Sequence, residues 1–306
     1  MTSDTQPNSS QPDTAQPNAA QQDYWGSAPG QKWIEHETVL DAAFSDVLEL
    51  LLRRADLRPG HKVLDIGCGT GASALAAARI TRPKGNGQTG PGSDGSVDAL
   101  DISPALLQRA RDRARDLDIE NLTFTRADAQ THPFADFHYD RVISRFGVMF
   151  FDDPVAAFGN IARAIKPGGN MVFVAWAGLA ANPWFAIPRH AAVARLGAPE
   201  DTAPTAPGPM AFQDRARVCA LLAQAGFSAV KSDEVTVNLI FSGGLAQAAP
   251  LALRLGPASR LIAESNATEA DTQAIAADVA QAFAAFDTNS GTDIPATLNI
   301  FTASRR

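Results

Sequence analysis

The run Val63-Leu64-Asp65-Ile66-Gly67-Cys68-Gly69-Thr70-Gly71 constrains this chain more than any other stretch. An apolar strand of buried character ends on an acid and then breaks into Gly67, Gly69 and Gly71, spaced two apart. Glycines reach backbone conformations closed to other residues, so the chain can turn sharply and bring main-chain N–H groups against a ligand. The Ala-rich stretch 72–79 reads as a helix. Its unsatisfied N-terminal donors and positive dipole end would face the loop, which therefore suits an anionic group. The same residues satisfy the loose dinucleotide pattern Gly67-x-Gly69-x-x-Ala72, so the loop alone leaves a nicotinamide or flavin enzyme open.

Length and charge narrow the classes. At 306 residues the chain can bury a sizeable core. Its net charge of −7, with no Lys/Arg cluster fit to track phosphates, argues against nucleic acid as a direct partner. The two cysteines, Cys68 and Cys219, offer neither a disulfide framework nor a cysteine-based metal site, so no metal is expected and the cytoplasm is the expected location. No apolar run approaches the roughly 20 residues of a membrane span, and no signal-peptide layout is present. Residues 1–22, rich in Gln, Pro, Ser, Asn and Thr, are expected to be a disordered tail preceding one domain over 23–306. Residues 85–95 read as a flexible surface insertion, and 198–209 as a Pro- and Ala-rich connection beside a cleft or a passive linker.

Between these stretches strands and helices alternate. Strands are expected at Lys62–Ile66, Ser96–Asp101, 122–125, 141–144 and 171–176, and helices at 72–79, 104–117 and 154–165. Late strands are expected at 235–241 and 296–303, among Ala-rich helices that cover the cleft. The pattern predicts an α/β, Rossmann-like doubly wound fold: a mainly parallel seven-stranded sheet with a helical substrate cover over 177–306 and a cofactor half over about 55–176.

Ligands of open α/β sheets bind beyond the carboxyl ends of the strands. The second strand ends at Asp101, whose carboxylate suits both hydroxyls of an adenosine ribose, while Ser103 is the better N-cap for the helix at Pro104. After the third strand, Asp128 is placed to accept from an exocyclic adenine amine, with the Ala129 N–H donating to a ring nitrogen; a plain turn is the other reading of this Asp. The fourth strand ends at Ser144-Arg145-Phe146, and the apolar lip 147–151 follows.

Taken in order, VLDIGCGTG, VDALDIS, TRADAQTHPF, DRVISRFGVMFF and AIKPGGNMVFVAW resemble the motifs of class I S-adenosylmethionine-dependent methyltransferases, in the ubiquinone/menaquinone-biosynthesis-like small-molecule branch. The resemblance spans about residues 24–176. It implies S-adenosyl-L-methionine as cofactor, with Asp65 holding its amino group and Gly67, Gly69 and Gly71 allowing close backbone approach. It also implies Asp101 and Ile102 at the ribose and adenine, Asp128 and Ala129 at the adenine edge, and Ser144 and Arg145 at the lip. The segment YWGSAPGQKWIEH is similar to a cofactor cover, with Tyr24, Trp25 and Trp33 as walls; an amphipathic helix with core aromatics is the alternative. Two departures stand out: Asp101 lies 30 positions after Gly71, where about 20 suffice, a surplus the 85–95 insertion accounts for; and Asp98 is an acid inside a central strand, which is normally apolar.

A sulfonium methyl is already activated, so its transfer depends mainly on placing the acceptor roughly 3–3.5 Å from the methyl carbon. For a hydroxyl or acidic-carbon acceptor a base adds about 10²–10⁴-fold. His36 and His190 are the candidate bases, and each also reads as an ordinary structural or surface histidine. His132 and His138 flank a loop, and His61 precedes the first strand, away from the cleft. Trp176, Trp184, Phe185 and Phe212 form a candidate wall for a small apolar or aromatic acceptor, or belong to the core. The expected function is methyl transfer to O, C or N of such a molecule. A non-catalytic protein that binds the cofactor to stabilise or regulate a partner, and an NAD-dependent oxidoreductase, are the alternatives.

Overall fold

The computed structural model describes residues 16–82, 95–199 and 203–305. Five parallel strands form its centre: β1 (Lys62–Ile66), β2 (Ser96–Asp101), β3 (Leu122–Arg126), β4 (Tyr139–Arg145) and β5 (Ile165–Trp176). Three later strands follow, β6 (Phe227–Phe241), β7 (Asp287–Thr288) and β8 (Gly291–Arg305). The sheet order is β3-β2-β1-β4-β5-β8-β6, with β8 antiparallel to β5 and β6, and the two-residue β7 pairing β8 off this path. The expected seven strands are the seven on the path.

Among the described residues twelve α-helices surround the sheet. Four precede it: α1 (Ala19–Gly26), α2 (Ala28–Glu35), α3 (Glu37–Ala43) and α4 (Ser45–Ala55). The crossovers are α5 (Ala72–Thr81), α6 (Pro104–Asp116) and α7 (Pro154–Ala164). Beyond β5 come α8 (Pro183–Leu196), α9 (Arg215–Gln224), α10 (Leu245–Arg254), α11 (Pro257–Glu264) and α12 (Glu269–Phe283). From β1 the chain steps outward through β2 to β3, then restarts on the other side at β4 and β5. Right-handed crossovers place α5 and α6 on one face and α7 on the other, and leave a crevice at the switch point between β1 and β4.

Local chemistry explains the boundaries. Val63, Leu64 and Ile66 of β1 and Met171 to Ala175 of β5 are fully or almost fully buried, as strands covered on both faces must be. Helix α6 starts at Pro104 after Ser103, whose hydroxyl accepts from the Leu106 N–H at 3.4 Å, and it buries Leu106, Leu107, Ala110 and Ala114 along one stripe. Helix α7 is capped likewise, Asp153 accepting from the Ala156 N–H at 3.0 Å. The acid inside β2 has a partner: the Tyr139 phenol donates to Asp98 Oδ2 at 2.8 Å. Among the described residues no helix is long and apolar enough to cross a membrane.

Two expectations change and one lies almost wholly outside the described residues. Residues 19–22 are not part of a disordered tail but open α1, and Asn18 before them is almost fully buried; residues 1–15 lie outside the described residues. The insertion over 85–94 also lies outside them, while Gly95 is buried, its backbone so close to α5 that a Cβ there would meet the Thr81 carbonyl oxygen at 2.0 Å. Strands β6 and β8 run 15 residues each, longer than expected, because β6 is a half-exposed edge whose Lys231, Asp233 and Glu234 interrupt the apolar alternation.

Candidate functional site

A cavity of about 230 Å³ opens over the carboxyl ends of the parallel strands. Its floor is the glycine loop. The Cys68 N–H donates to the Leu100 carbonyl at 3.0 Å and the Gly69 N–H to Asp101 Oδ2 at 2.8 Å, so the loop after β1 is fastened to the end of β2. Gly67 has a left-handed φ of 67° and lies against Gly147, where a Cβ would meet the Gly147 Cα at 2.6 Å. A Cβ on Gly147 would in turn meet the Ile66 carbonyl oxygen at 2.5 Å. The ends of β1 and β4 thus touch backbone to backbone. Gly69 has open space above it. Gly71 lies behind the loop as the N-cap of α5 and does not line the cavity. Gly147→Ala is expected to push the two strand ends apart, lowering both the melting temperature and the affinity for an adenosyl ligand, as calorimetry would read.

The expected carboxylates meet at this edge. Asp65 pairs with Ala99 of β2 and Ile143 of β4, so Asp65, Asp101 and Arg145 project from one face of the sheet. Asp65 is fully buried; its Oδ2 accepts from the Ser73 hydroxyl at 2.6 Å and its Oδ1 has no partner. Burial pushes its pKa up to about 7, against the opposing pull of Ser73 and Arg145. Asp101 accepts from the Ser103 N–H through Oδ1, also at 2.8 Å. Burial raises its pKa while these backbone donors pull it down. Cys68 is inert as a nucleophile, because burial holds its thiol well above the usual range, with Asp101 and Asp65 adding to the effect.

Asp128, Ala129 and Ile102 line the same cavity. Asn18 reaches this corner from the N-terminal segment. Its Nδ2 donates to Asp128 Oδ1 at 3.0 Å, to Asp128 Oδ2 at 2.9 Å and to Gln130 Oε1 at 3.1 Å. Its backbone N–H donates to Asp152 Oδ2 at 2.6 Å and its Oδ1 accepts from the Asp152 N–H at 2.7 Å. A carboxylate offers about four lone-pair sites, so Asp128 keeps acceptor capacity toward the cavity.

Aromatic rings form the remaining wall. Trp25 meets Trp33 and Phe150 edge-on at 6.2 and 5.3 Å, and Trp33 stacks on Phe44 at 6.2 Å. Phe146 holds a left-handed φ of 67°, which turns its ring flat onto Trp176 at 4.5 Å and 2°. This strained conformation in a bulky residue is of the kind found at ligand clamps. Trp184 and Phe185 line the cavity from α8, whose start is fastened by the buried Asn182, donating to the Gly178 and Thr297 carbonyls at 3.1 Å. Phe212 is instead core, packed against Phe158 and Phe173.

Several expected residues stand elsewhere. Ser144 is fully buried beneath the lip, donating to the Ile66 carbonyl at 2.7 Å and accepting from the Gly147 N–H at 3.2 Å; it braces the β1–β4 junction. His36 joins α2 to α3 with its Nε2 3.2 Å from Arg254 Nη1, and His190 is exposed on α8. Neither lines the cavity, and no histidine is among the described residues that do. Asn18, Phe146 and Gly147 were missed as individual site residues. Only Gly147, a glycine two positions past the end of β4, carries a local signal.

Residues 57–192 match the methyltransferase domain family. An uncharacterised protein of Mycobacterium tuberculosis is 37% identical over 127 residues, covering 42% of this chain and 41% of its own length. The ubiquinone/menaquinone biosynthesis C-methyltransferase of Shewanella halifaxensis is 34% identical over 122 residues, covering 40% of this chain and 45% of that protein. The chain thus spans less than half the length of the curated relatives it matches. In fold, the YcgJ protein of Bacillus subtilis superposes with a TM-score of 0.54 at 17% identity, covering 86% of this chain and 99% of that one. Sequence motifs, switch-point crevice and family match agree on a methyltransferase domain over residues 57–192.

Proposed function

We propose that the protein transfers a methyl group from S-adenosylmethionine to O, C or N of a small apolar or aromatic molecule, in the cytoplasm, where its two free cysteines stay reduced. The observation that carries this reading is the buried, unpartnered Oδ1 of Asp65 beside the glycine loop. An ammonium group satisfies it. A dinucleotide offers only its pyrophosphate at this place, and two negative phosphates beside a buried carboxylate would repel it.

The residues present fit S-adenosylmethionine, which supplies a sulfonium methyl with a neutral thioether as leaving group. Asp65 would take its amino group, Asp101 the ribose hydroxyls, Ile102 a face of the adenine, and Asp128 with the Ala129 N–H the adenine edge. Phe146, Trp176, Trp33, Trp184 and Phe185 line the rest of the cavity, where they would exclude water and hold an apolar acceptor against the methyl. Placing the acceptor against the sulfonium methyl is the main contribution of this chain, with Asp128, Lys32 and Tyr24 among the titratable groups beside Asp101 in the cavity lining.

Calorimetric titration with S-adenosylhomocysteine, with NAD as control, tests the reading. Micromolar binding of the former and none of NAD is expected, with Asp128→Ala weakening the adenosyl ligand. Binding of NAD instead, or of neither, overturns it.

A further inference from the structure

The cavity carries its charges in different places. Its acids, Asp101 and Asp128, stand at or just past the ends of β2 and β3, beside the glycine loop. Among the described residues three cations line it, Arg145, Lys32 and Arg254. Arg145 ends β4 and lies against Asp41, Nη2 to Oδ1 at 3.4 Å. Lys32 of α2 and Arg254 of α10 are both partly exposed while lining the cavity, which places them at its rim. Lys32 Nζ donates to the Ser259 hydroxyl of α11 at 3.4 Å, and among the described residues no carboxylate pairs with it. The acids on the neighbouring stretches are committed elsewhere: Glu35 accepts from Arg254 Nη1 at 3.2 Å and Glu264 from Arg260 Nε at 2.7 Å. Arg254 Nη1 also lies 3.2 Å from His36 Nε2, and because a guanidinium only donates, the imidazole is the acceptor there. Two cations, Lys32 and Arg254, thus share one carboxylate, Glu35, and the rim keeps a surplus positive charge.

Aromatic rings join this rim to the floor. Gly256, just before α11, lies on Phe185, whose ring a Cβ there would meet at 2.8 Å. Phe185 meets Trp176 edge-on at 4.8 Å, and Trp176 stacks on Phe146, the neighbour of Gly147. An apolar acceptor filling this passage takes water away from the Lys32 ammonium and the Ser259 hydroxyl, and a cation that loses water without gaining a counter-charge is costly. A neutral acceptor leaves that cost standing, whereas an anionic one offsets it. The Ser259 hydroxyl accepts from Lys32 and so keeps its own proton to donate. We infer that the acceptor is an apolar carboxylic acid, anchored through its carboxylate by Lys32 and Arg254 at the rim, with its apolar body along Phe185 and Trp176. One carboxylate oxygen suits Lys32 with Ser259 and the other suits Arg254. Lys32, Arg254 and Ser259 all lie outside residues 57–192, the part that matches the methyltransferase domain, as residues that select one acceptor among many should. The inference rests on the methyl-transfer reading above and narrows its acceptor class.

All four tryptophans of the chain, Trp25, Trp33, Trp176 and Trp184, line the cavity, so tryptophan fluorescence reports an occupant. The test titrates the full chain, with and without S-adenosylhomocysteine, with 2-naphthoate against 2-naphthamide and with decanoate against decanamide. Each pair shares an apolar body and differs in charge. The acid of at least one pair is expected to bind about 10-fold more tightly than its amide, and the pair that shows this tells an aromatic acceptor from an aliphatic one. Lys32→Met is expected to weaken that acid about 10-fold and its amide less than about twofold, which erases the preference. Lys32→Arg is expected to keep most of it, and Arg254→Gln to lose part of it. Acids that bind no tighter than their amides, or a preference that Lys32→Met leaves intact, overturn the inference. A Lys32→Met protein that loses S-adenosylhomocysteine in step with the acid also overturns it and gives Lys32 to the cofactor. Wild-type protein that shows the acid preference but binds no S-adenosylhomocysteine supports the anionic site and overturns the methyl-transfer reading beneath it.

Discussion

Asp101→Ala is expected to weaken S-adenosylhomocysteine at least about 100-fold and to weaken 5′-methylthioadenosine equally. The two ligands share the ribose that this carboxylate is proposed to hold. Two charge-assisted hydrogen bonds to ribose hydroxyls are worth about 1.5–3 kcal/mol each, and their joint loss corresponds to two or more decades in affinity. The substitution has a second route to the same outcome. Asp101 Oδ2 holds the Gly69 N–H and Oδ1 the Ser103 N–H, so the carboxylate fixes both the floor of the cavity and the start of α6. Ser103 in turn donates to the Trp25 carbonyl at 2.9 Å, which extends the disturbance to the aromatic wall. Asp101→Asn separates the routes, since its amide oxygen can keep one backbone donor while its NH₂ faces the other; an intermediate affinity with near-native melting is expected. Calorimetry on both variants decides, and an Asp101→Ala protein within threefold of wild type would remove Asp101 from the site.

The half of the fold that builds the crevice is legible in the sequence because its constraints are local. A buried run ending in a glycine turn leaves few conformations, and Ser103-Pro104 and Asp153-Pro154 mark helix starts through caps that act within three residues. Asp65, Asp101 and Asp128 follow from the rule that strand ends carry ligands, and two of the three line the cavity with the third buried beside it. What escaped notice is held by distant parts of the chain. The first half of helix α1, residues 19–22, has a composition that reads as disordered, and its place depends on Asn18 meeting Asp128 and Asp152, which lie 110 and 134 positions away. His36 and His190 illustrate a related limit: residue type suggests a base, but helix phase decides direction, and one faces Arg254 while the other faces solvent. The role of Gly147 depends on Gly67, 80 positions earlier in the chain, and its closeness is visible only once β1 and β4 are side by side.

Below pH 7 the affinity for S-adenosylhomocysteine is expected to fall, approaching tenfold per pH unit, and above pH 7 to level off. The cause lies in Asp65, whose pKa burial raises from 3.8 to about 7 in the free protein. An ammonium ligand requires the ionised carboxylate, so at pH 6 binding must first expel a proton, and about one proton should appear in calorimetry repeated in buffers of different ionisation heat. The same shift governs stability without ligand. With its folded pKa above its unfolded one, Asp65 favours the folded state fully below about pH 4 and loses that contribution as pH rises through 7. A shift of about three units corresponds to roughly 4 kcal/mol lost between these limits. Asp65→Asn cannot ionise. Denaturant unfolding should find it more stable than wild type at pH 8 and nearly equal at pH 4, while its ligand affinity is reduced about 100-fold at pH 8 and is flat in pH. A protein whose unfolding free energy and ligand affinity were both level from pH 5.5 to 8 would show that Asp65 is ionised throughout. The buried carboxylate would then have to be paired already, and the ammonium would find no free acceptor there. If the expected slopes appear together and vanish together in Asp65→Asn, one carboxylate accounts for both the stability lost and the ligand affinity gained as pH rises through 7.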